Sequence, residues 1–162
     1  MFEIFEVTLG AGLLGISPMP GRGGAFEADL SALLRWDPAL VLSMPTAQEM
    51  AQRGAGGLGD DLRNAGVDWA HLPVPDFGAP ASETTAMWQR TSAKAHQIIV
   101  DGGRVLAHCH GGCGRSGMVL LRLMAEAGEV PEAALKRLRK SRACAVETDE
   151  QFAWAAAGFG DG

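Results

Sequence analysis

Apolar residues follow two rhythms along this chain. Short apolar or β-branched runs, bounded by glycine, proline or acidic residues, alternate with longer segments whose leucines and alanines recur every three or four positions. The first rhythm predicts strands and the second amphipathic helices. Strands or irregular edge structure are expected over residues 2–7 and 12–17, a short buried strand over 39–43, and further strands over 67–72 and 105–108. Helices are expected over 26–36, where Leu30, Leu33 and Leu34 share a face, and over 46–52 with Thr46 as cap. Others are expected over 60–65 with Gly66 as stop, over 82–100 begun by Ser82, and over 116–127 ended by Gly128. The last two run over 131–141, opened by Pro131, and to about 157 from a cap at Thr148. Residues 19–24 read as a turn and 55–59 as a flexible connection. Trp69, Trp88, Phe152 and Trp154 are expected to serve the core. Strands alternating with helices predict an α/β sandwich with its ligand loop at a strand's carboxyl end.

Composition narrows the picture. The 162 residues suit one domain spanning 1–162. A net charge of −5 speaks against a broad nucleic-acid surface. The basic run Lys136-Arg-Leu-Arg-Lys-Ser-Arg142 reads as a solvated helix face, or as a dock for an acidic phosphoprotein. The apolar stretch 9–16 is too short to span a membrane, and Glu3 and Glu6 are unlike a secretory signal. Three cysteines make no disulfide framework, and one is needed as a thiolate, so a reducing cytoplasm is expected.

That thiolate lies in His108-Cys-His-Gly-Gly-Cys-Gly-Arg-Ser-Gly117. Glycines 111, 112 and 114 let the backbone curl until several N–H groups face one centre, and the following helix adds its unpaired N-terminal N–H groups. Such a nest binds a tetrahedral dianion. Arg115 adds a planar fork that grips two phosphate oxygens. The same field favours the thiolate of Cys109, since a thiol near 8.5 falls to roughly 3.5–7.5 beside cations or a helix N-terminus. Ser116 places a hydroxyl next to that sulfur, and His108 is expected to end the strand and hold the loop. His110, Gly111, Gly112, Cys113 and Gly114 would contact the substrate. A zinc reading of His108, Cys109, His110 and Cys113 is weaker, because four ligands within six residues and no second cluster make an unusual site; no metal or other cofactor is expected.

A thiolate attacking a phosphate ester needs its leaving oxygen protonated by an acid on a separate element. Asp76, in Leu72-Pro-Val-Pro-Asp-Phe-Gly-Ala-Pro80, sits where three prolines prevent regular structure and Gly78 permits a hinge, as a lid requires. Asp60, Asp61, Asp68 and Asp101 lack such surroundings. Phe77, beside the acid, could form a wall of the pocket.

With both elements in hand, the chain resembles the cysteine-dependent protein tyrosine and dual-specificity phosphatases. Their pattern His-Cys-x-x-Gly-x-x-Arg-Ser/Thr is met by His108, Cys109, Gly112, Arg115 and Ser116. The likeness is nearest to the kinase-associated phosphatase-like branch, through Gly111–Ser116 in the loop and His71, Pro73, Asp76, Gly78 and Pro80 in the lid. The segment Ala145-Val-Glu-Thr-Asp-Glu-Gln151 is similar to a family segment ending in a glutamine near the active site. The resemblance implies a central mixed, mostly parallel sheet flanked by helices, with the phosphate loop between a central strand and a helix. It implies Cys109 as nucleophile, Arg115 as phosphate clamp, Asp76 as acid and then base, and Ser116 as helper in phosphocysteine breakdown. Gln151 would orient the hydrolytic water, or else be an exposed residue of the last helix. Cys113 and His110 depart from the branch.

The expected function is hydrolysis of phosphotyrosine, with phosphoserine and phosphothreonine as further candidates, on a phosphoprotein partner and without nucleic acid or membrane. A phosphoinositide or other small phosphomonoester is an alternative substrate, although the loop lacks the lysines that extra phosphates call for. A thiol-redox or arsenate-reducing enzyme is another, with Cys113 and Cys144 relaying from Cys109. A milder version has Cys113 or Cys144 pairing reversibly with Cys109. Against both stands the plainer expectation that Cys113 and Cys144 are small buried apolar residues.

Overall fold

A computed structural model describes residues 1–160. Five strands form one sheet in the order β1-β2-β5-β3-β4, from Phe5–Leu9 (β1), Gly12–Ser17 (β2), Leu40–Ser43 (β3), Asp68–His71 (β4) and Arg104–His108 (β5). β1 pairs antiparallel with β2, and every other pairing is parallel. The sheet is therefore mixed and mostly parallel, with helices on both faces. Alternation along β3 and β5 builds two cores. Leu40, Leu42, Val105 and Ala107 face Ser82–Val100 (α4), Gly114–Glu126 (α5), Pro131–Ser141 (α6) and Asp149–Ala156 (α7). Val41 and Leu106 face Phe26–Arg35 (α1), Ala47–Gln52 (α2) and Leu58–Asn64 (α3). Burial on both faces explains why the central strands read as unbroken apolar runs.

Several element boundaries differ from expectation, each for a local reason. The first strand begins at Phe5 rather than residue 2, because pairing runs from Phe5↔Ile16 to Leu9↔Gly12 around a turn at Gly10. α3 starts at Leu58, inside the stretch expected to be a flexible connection, because Leu58 and Leu62 are buried in the second core. α4 is capped by Ala81 with no side-chain bond, so Ser82 is its first helical residue and not its cap. α5 starts two residues early, at Gly114, drawing the helix N-terminus into the loop itself. Thr46 and Thr148 do cap their helices, accepting from Glu49 N and Gln151 N. Trp88 is buried, whereas Trp69, Phe152 and Trp154 are half-buried at the margins of the cores.

The architecture matters for function because the carboxyl ends of β2, β3, β4 and β5 share one edge. Met44 N donates to His108 O at 3.0 Å and Met19 N to His110 O at 3.1 Å, so the strand ends grip the loop that follows β5. Gly112 has φ +73°, and a Cβ there would lie 2.6 Å from Pro18 N. Only glycine can bring the loop this close to the end of β2.

Candidate active site

β5 delivers His108 to a fully buried position at the sheet edge. Trp69 Nε1 donates to Ser43 Oγ at 2.7 Å, which leaves the Ser43 hydroxyl proton to donate to His108 Nε2. The ring proton then lies on Nδ1, 3.4 Å from Cys109 O. Burial above all, with nearby His71 and Arg115, lowers the His108 pKa from 6.5 to about 4, against the opposing backbone contact. It is a neutral strut under the nucleophile loop at pH 7. Because the folded value lies below the unfolded one, the unfolded chain takes the proton first. The contribution is whole above pH 6.5 and drains as pH falls toward 4, on the order of 3 kcal/mol in the limit. Urea melts at pH 7.5 and 4.5 are expected to show this loss, and His108→Gln to flatten the slope in that window. An unchanged slope would assign the loss elsewhere.

Cys109 is buried, with Sγ 3.2 Å from Ser116 Oγ. Ser116 reaches it because α5 begins within the loop. Arg115, on the same first turn, is 1% exposed. Its Nη1 donates to Glu49 Oε2 and Val74 O, and its Nη2 to Glu49 Oε1, each at 2.8 Å. Burial opposes the guanidinium charge, but the Glu49 hydrogen bonds and the neighbouring Cys109 outweigh it and leave the Arg115 pKa above its ordinary value. Hydrogen bonding to Arg115 foremost, against the opposing effect of burial, brings Glu49 from 4.5 to about 2. Among the described residues, Arg115 Nε is buried with no hydrogen-bond partner. A buried unpaired N–H costs about 1–3 kcal/mol, which an anion in the loop would relieve.

Glu49 was not expected from the sequence as part of the site. The signal was present but spoke of something else: Thr46 and Glu49 form a capping box, with Thr46 N donating to Glu49 Oε2 at 2.8 Å. That cap aims the carboxylate, and the same carboxylate orients the arginine.

The lid leaves β4 at His71, whose Nε2 lies 2.7 Å from Pro45 O. Asp76 Oδ1 accepts from Phe77 N at 3.0 Å and lies 3.5 Å from Arg115 Nη2. Phe77 is exposed and holds φ +64°, a left-handed backbone that is strained for a bulky residue. Gln151 is fully buried, not exposed on the last helix. Its Nε2 donates to Gly78 O at 3.1 Å, and its Oε1 accepts from Glu147 N at 2.8 Å, so it ties the lid to α7.

These elements form a cavity of about 340 Å³ lined by Asp76, Phe77, Cys109, His110, Gly111 and Cys113 together with Arg22, Arg142 and Glu147. A second cavity, of about 240 Å³, shares Arg22 and His110 and adds Arg53. Burial first, and then the charges of Arg22 and Arg53, hold the His110 pKa below its ordinary value. Arg22 was not anticipated; Arg142 ends the basic run and Glu147 lies in the segment leading to Gln151, but neither was expected to line the site. Among the described residues, no group of three or more acidic, histidine or cysteine side chains could hold a metal ion.

One expectation is overturned outright. Cys113 and Cys144 are neither plain buried thiols nor partners of Cys109. They are bonded to each other, with Cα atoms 5.1 Å apart, and Cys109 is the free cysteine. The chain brings the turn after α6 against the loop, a contact across 31 residues that spacing alone does not reveal.

A buried cysteine at the floor of a glycine loop, an arginine clasped by Glu49 and an aspartate on the loop after β4, all on a mixed sheet, define a cysteine-dependent phosphatase of the tyrosine and dual-specificity class. Residues 41–129 match the family model Tc-R-P, described as polymorphic toxin system, DSP-PTPase phosphatase, and the chain belongs to that family. Tk-PTP in its active form is 30% identical, with 87% of each chain covered and a TM-score of 0.70. Kinase associated phosphatase with its catalytic-site cysteine changed to serine is 21% identical, over 95% of this chain and 92% of that one, at 0.82. PTPMT1 in complex with PI(5)P is 18% identical, over 95% and 94%, at 0.76. Receptor-type tyrosine-protein phosphatase H of Homo sapiens is 34% identical over 86 residues, 48% of this chain but only 8% of the receptor.

Proposed function

We propose that this phosphatase hydrolyses phosphotyrosine, and also phosphoserine and phosphothreonine, in a phosphoprotein through a phosphocysteine intermediate. The observation that carries this is the convergence of Cys109 and Asp76 on one cavity, with Arg115 within 3.5 Å of Asp76. Cys109 Sγ attacks phosphorus, the ester bond breaks, and Asp76 gives its proton to the departing oxygen. Water then attacks the phosphocysteine, Asp76 takes a proton from it, and Cys109 leaves as thiolate with Ser116 Oγ beside it. Gln151 acts here by holding the lid. Among the described residues no helix is long and apolar enough to cross a membrane. The net charge of −5 supports a protein substrate over an anionic lipid surface. The cytoplasm was expected on the ground that three cysteines make no disulfide framework, and the Cys113–Cys144 bond weakens that ground because such bonds are favoured in oxidising compartments.

The test is phosphate release from a panel of phosphotyrosine, phosphoserine and phosphothreonine peptides against phosphoinositides. Preference for an inositol lipid would overturn the protein reading. Asp76→Asn is expected to slow alkyl phosphates by about 100- to 10,000-fold and p-nitrophenyl phosphate much less, because a good leaving group needs no proton. Equal losses on both would remove Asp76 from the acid's role.

A further inference from the structure

Three successive carbonyls of the phosphate loop are held by one short segment after α6. Arg142, the C-cap of α6, donates from Nε to Gly112 O and from Nη2 to Gly111 O, both at 3.0 Å. Val146 N donates to Cys113 O at 3.2 Å. Between these two residues stands Cys144, bonded to Cys113. The guanidinium is steadied from its other side, with Cζ 4.4 Å from the Phe5 ring centroid. Gly117 permits this close seating, since a Cβ there would lie 2.7 Å from Val146 N.

In a trans peptide the C=O of one residue and the N–H of the next point in opposite directions. Carbonyls 111 to 113 drawn toward the 142–146 segment therefore turn the N–H groups of Gly112, Cys113 and Gly114 the other way, toward the concave side of the loop. Those are the donors an anion cradle needs.

We propose that Arg142 is a positioning residue for the phosphate loop, held in register by the Cys113–Cys144 bond, and that reduction of this bond loosens the grip on phosphate. The proposal rests on the phosphatase reading above. Arg142 acts through the loop carbonyls, and the disulfide sets where Arg142 stands. Cys144 is exposed, so a reductant can reach the pair. Reduction by a dithiol takes two electrons and two protons. The bond between the sulfurs of Cys113 and Cys144 breaks, two thiols form, and the dithiol leaves as its own disulfide. Cys109 takes no part.

The experiment measures p-nitrophenyl phosphate kinetics and competitive inhibition by inorganic phosphate in the full chain. Cys109 is first verified as a free thiol by alkylation and mass mapping. Arg142→Gln is expected to weaken phosphate inhibition and raise KM by about tenfold, with kcat moved less than about threefold, and Arg142→Lys to restore part of the loss. Mild reduction of the wild type, and Cys144→Ala without reduction, are each expected to weaken phosphate binding by about threefold, and reduction to add nothing in Cys144→Ala. Unchanged phosphate inhibition in Arg142→Gln, or a fall confined to kcat, overturns the positioning role. A wild type indifferent to reduction overturns the tether. If Arg142→Gln does not fold, the reduced wild type and Cys144→Ala decide the matter. A wild type without any turnover would sink the phosphatase reading itself, whereas an active wild type with indifferent variants sinks this inference alone.

Discussion

Cys109→Ser is expected to lower p-nitrophenyl phosphate turnover by at least about 1,000-fold while leaving the protein folded. The serine hydroxyl is a far weaker nucleophile than a cysteine sulfur. The other parts of the site survive the change. Arg115 keeps its bonds to Glu49 and Val74, and the loop keeps its ties to Met19 and Arg142. The variant should therefore still bind phosphate and act as a substrate trap. Steady-state assay, circular dichroism and phosphopeptide binding together check this. Retained turnover would remove Cys109 from the chemistry, and with it the whole phosphocysteine scheme.

Arg115→Lys is expected to damage both catalysis and stability, despite keeping the charge. The guanidinium makes three bonds of 2.8 Å, two of them as a fork onto Glu49, and its Nε remains for an anion. A lysine ammonium is a point donor that cannot span Glu49, Val74 and a phosphate together. Glu49, brought to a pKa of about 2 mainly by that fork, would be left partly uncompensated. The expected cost is about 2 kcal/mol, discounted because Glu49 keeps some solvent. For a chain of this size that lowers Tm by about 4–8 °C. Loss of bidentate phosphate binding should lower kcat/KM by at least about 100-fold. Thermal melts and kinetics on one preparation test both halves. A lysine variant that melts like the wild type would show that the fork adds nothing to the fold.

Glu49→Gln offers a useful contrast with that variant, since it keeps the shape of the clasp and removes only its charge. The difference between the two shows why this residue escaped a reading of the chain. Thr46-x-x-Glu49 is visible as a capping box, and a capping box is a complete local explanation. Nothing in the local pattern says that α2 points its first turn at an arginine 66 positions away. The same holds for Gln151. Its helix and cap were legible, but its burial against Gly78 depends on where α7 packs. The cysteine pair is the clearest failure: pairing needs a distance, and spacing in sequence supplies none.

What the chain carried in its own order was the loop and the rhythm around it. Cys109, the glycines, Arg115 and Ser116 lie within eight consecutive residues, so local backbone freedom and one helix start bring them together. The apolar runs of β3 and β5 announced buried strands because burial on both sides leaves no polar face. The tertiary structure decided the rest: Glu49 on the arginine, Asp76 over the loop, Arg142 on its carbonyls and Cys144 on its flank. They come from three separate segments, α2, the loop after β4 and the turn after α6, which only the packing of the whole fold brings to one edge of the sheet. Short-range preferences choose helix or strand, whereas contacts between distant segments are chosen by the packing of the whole core.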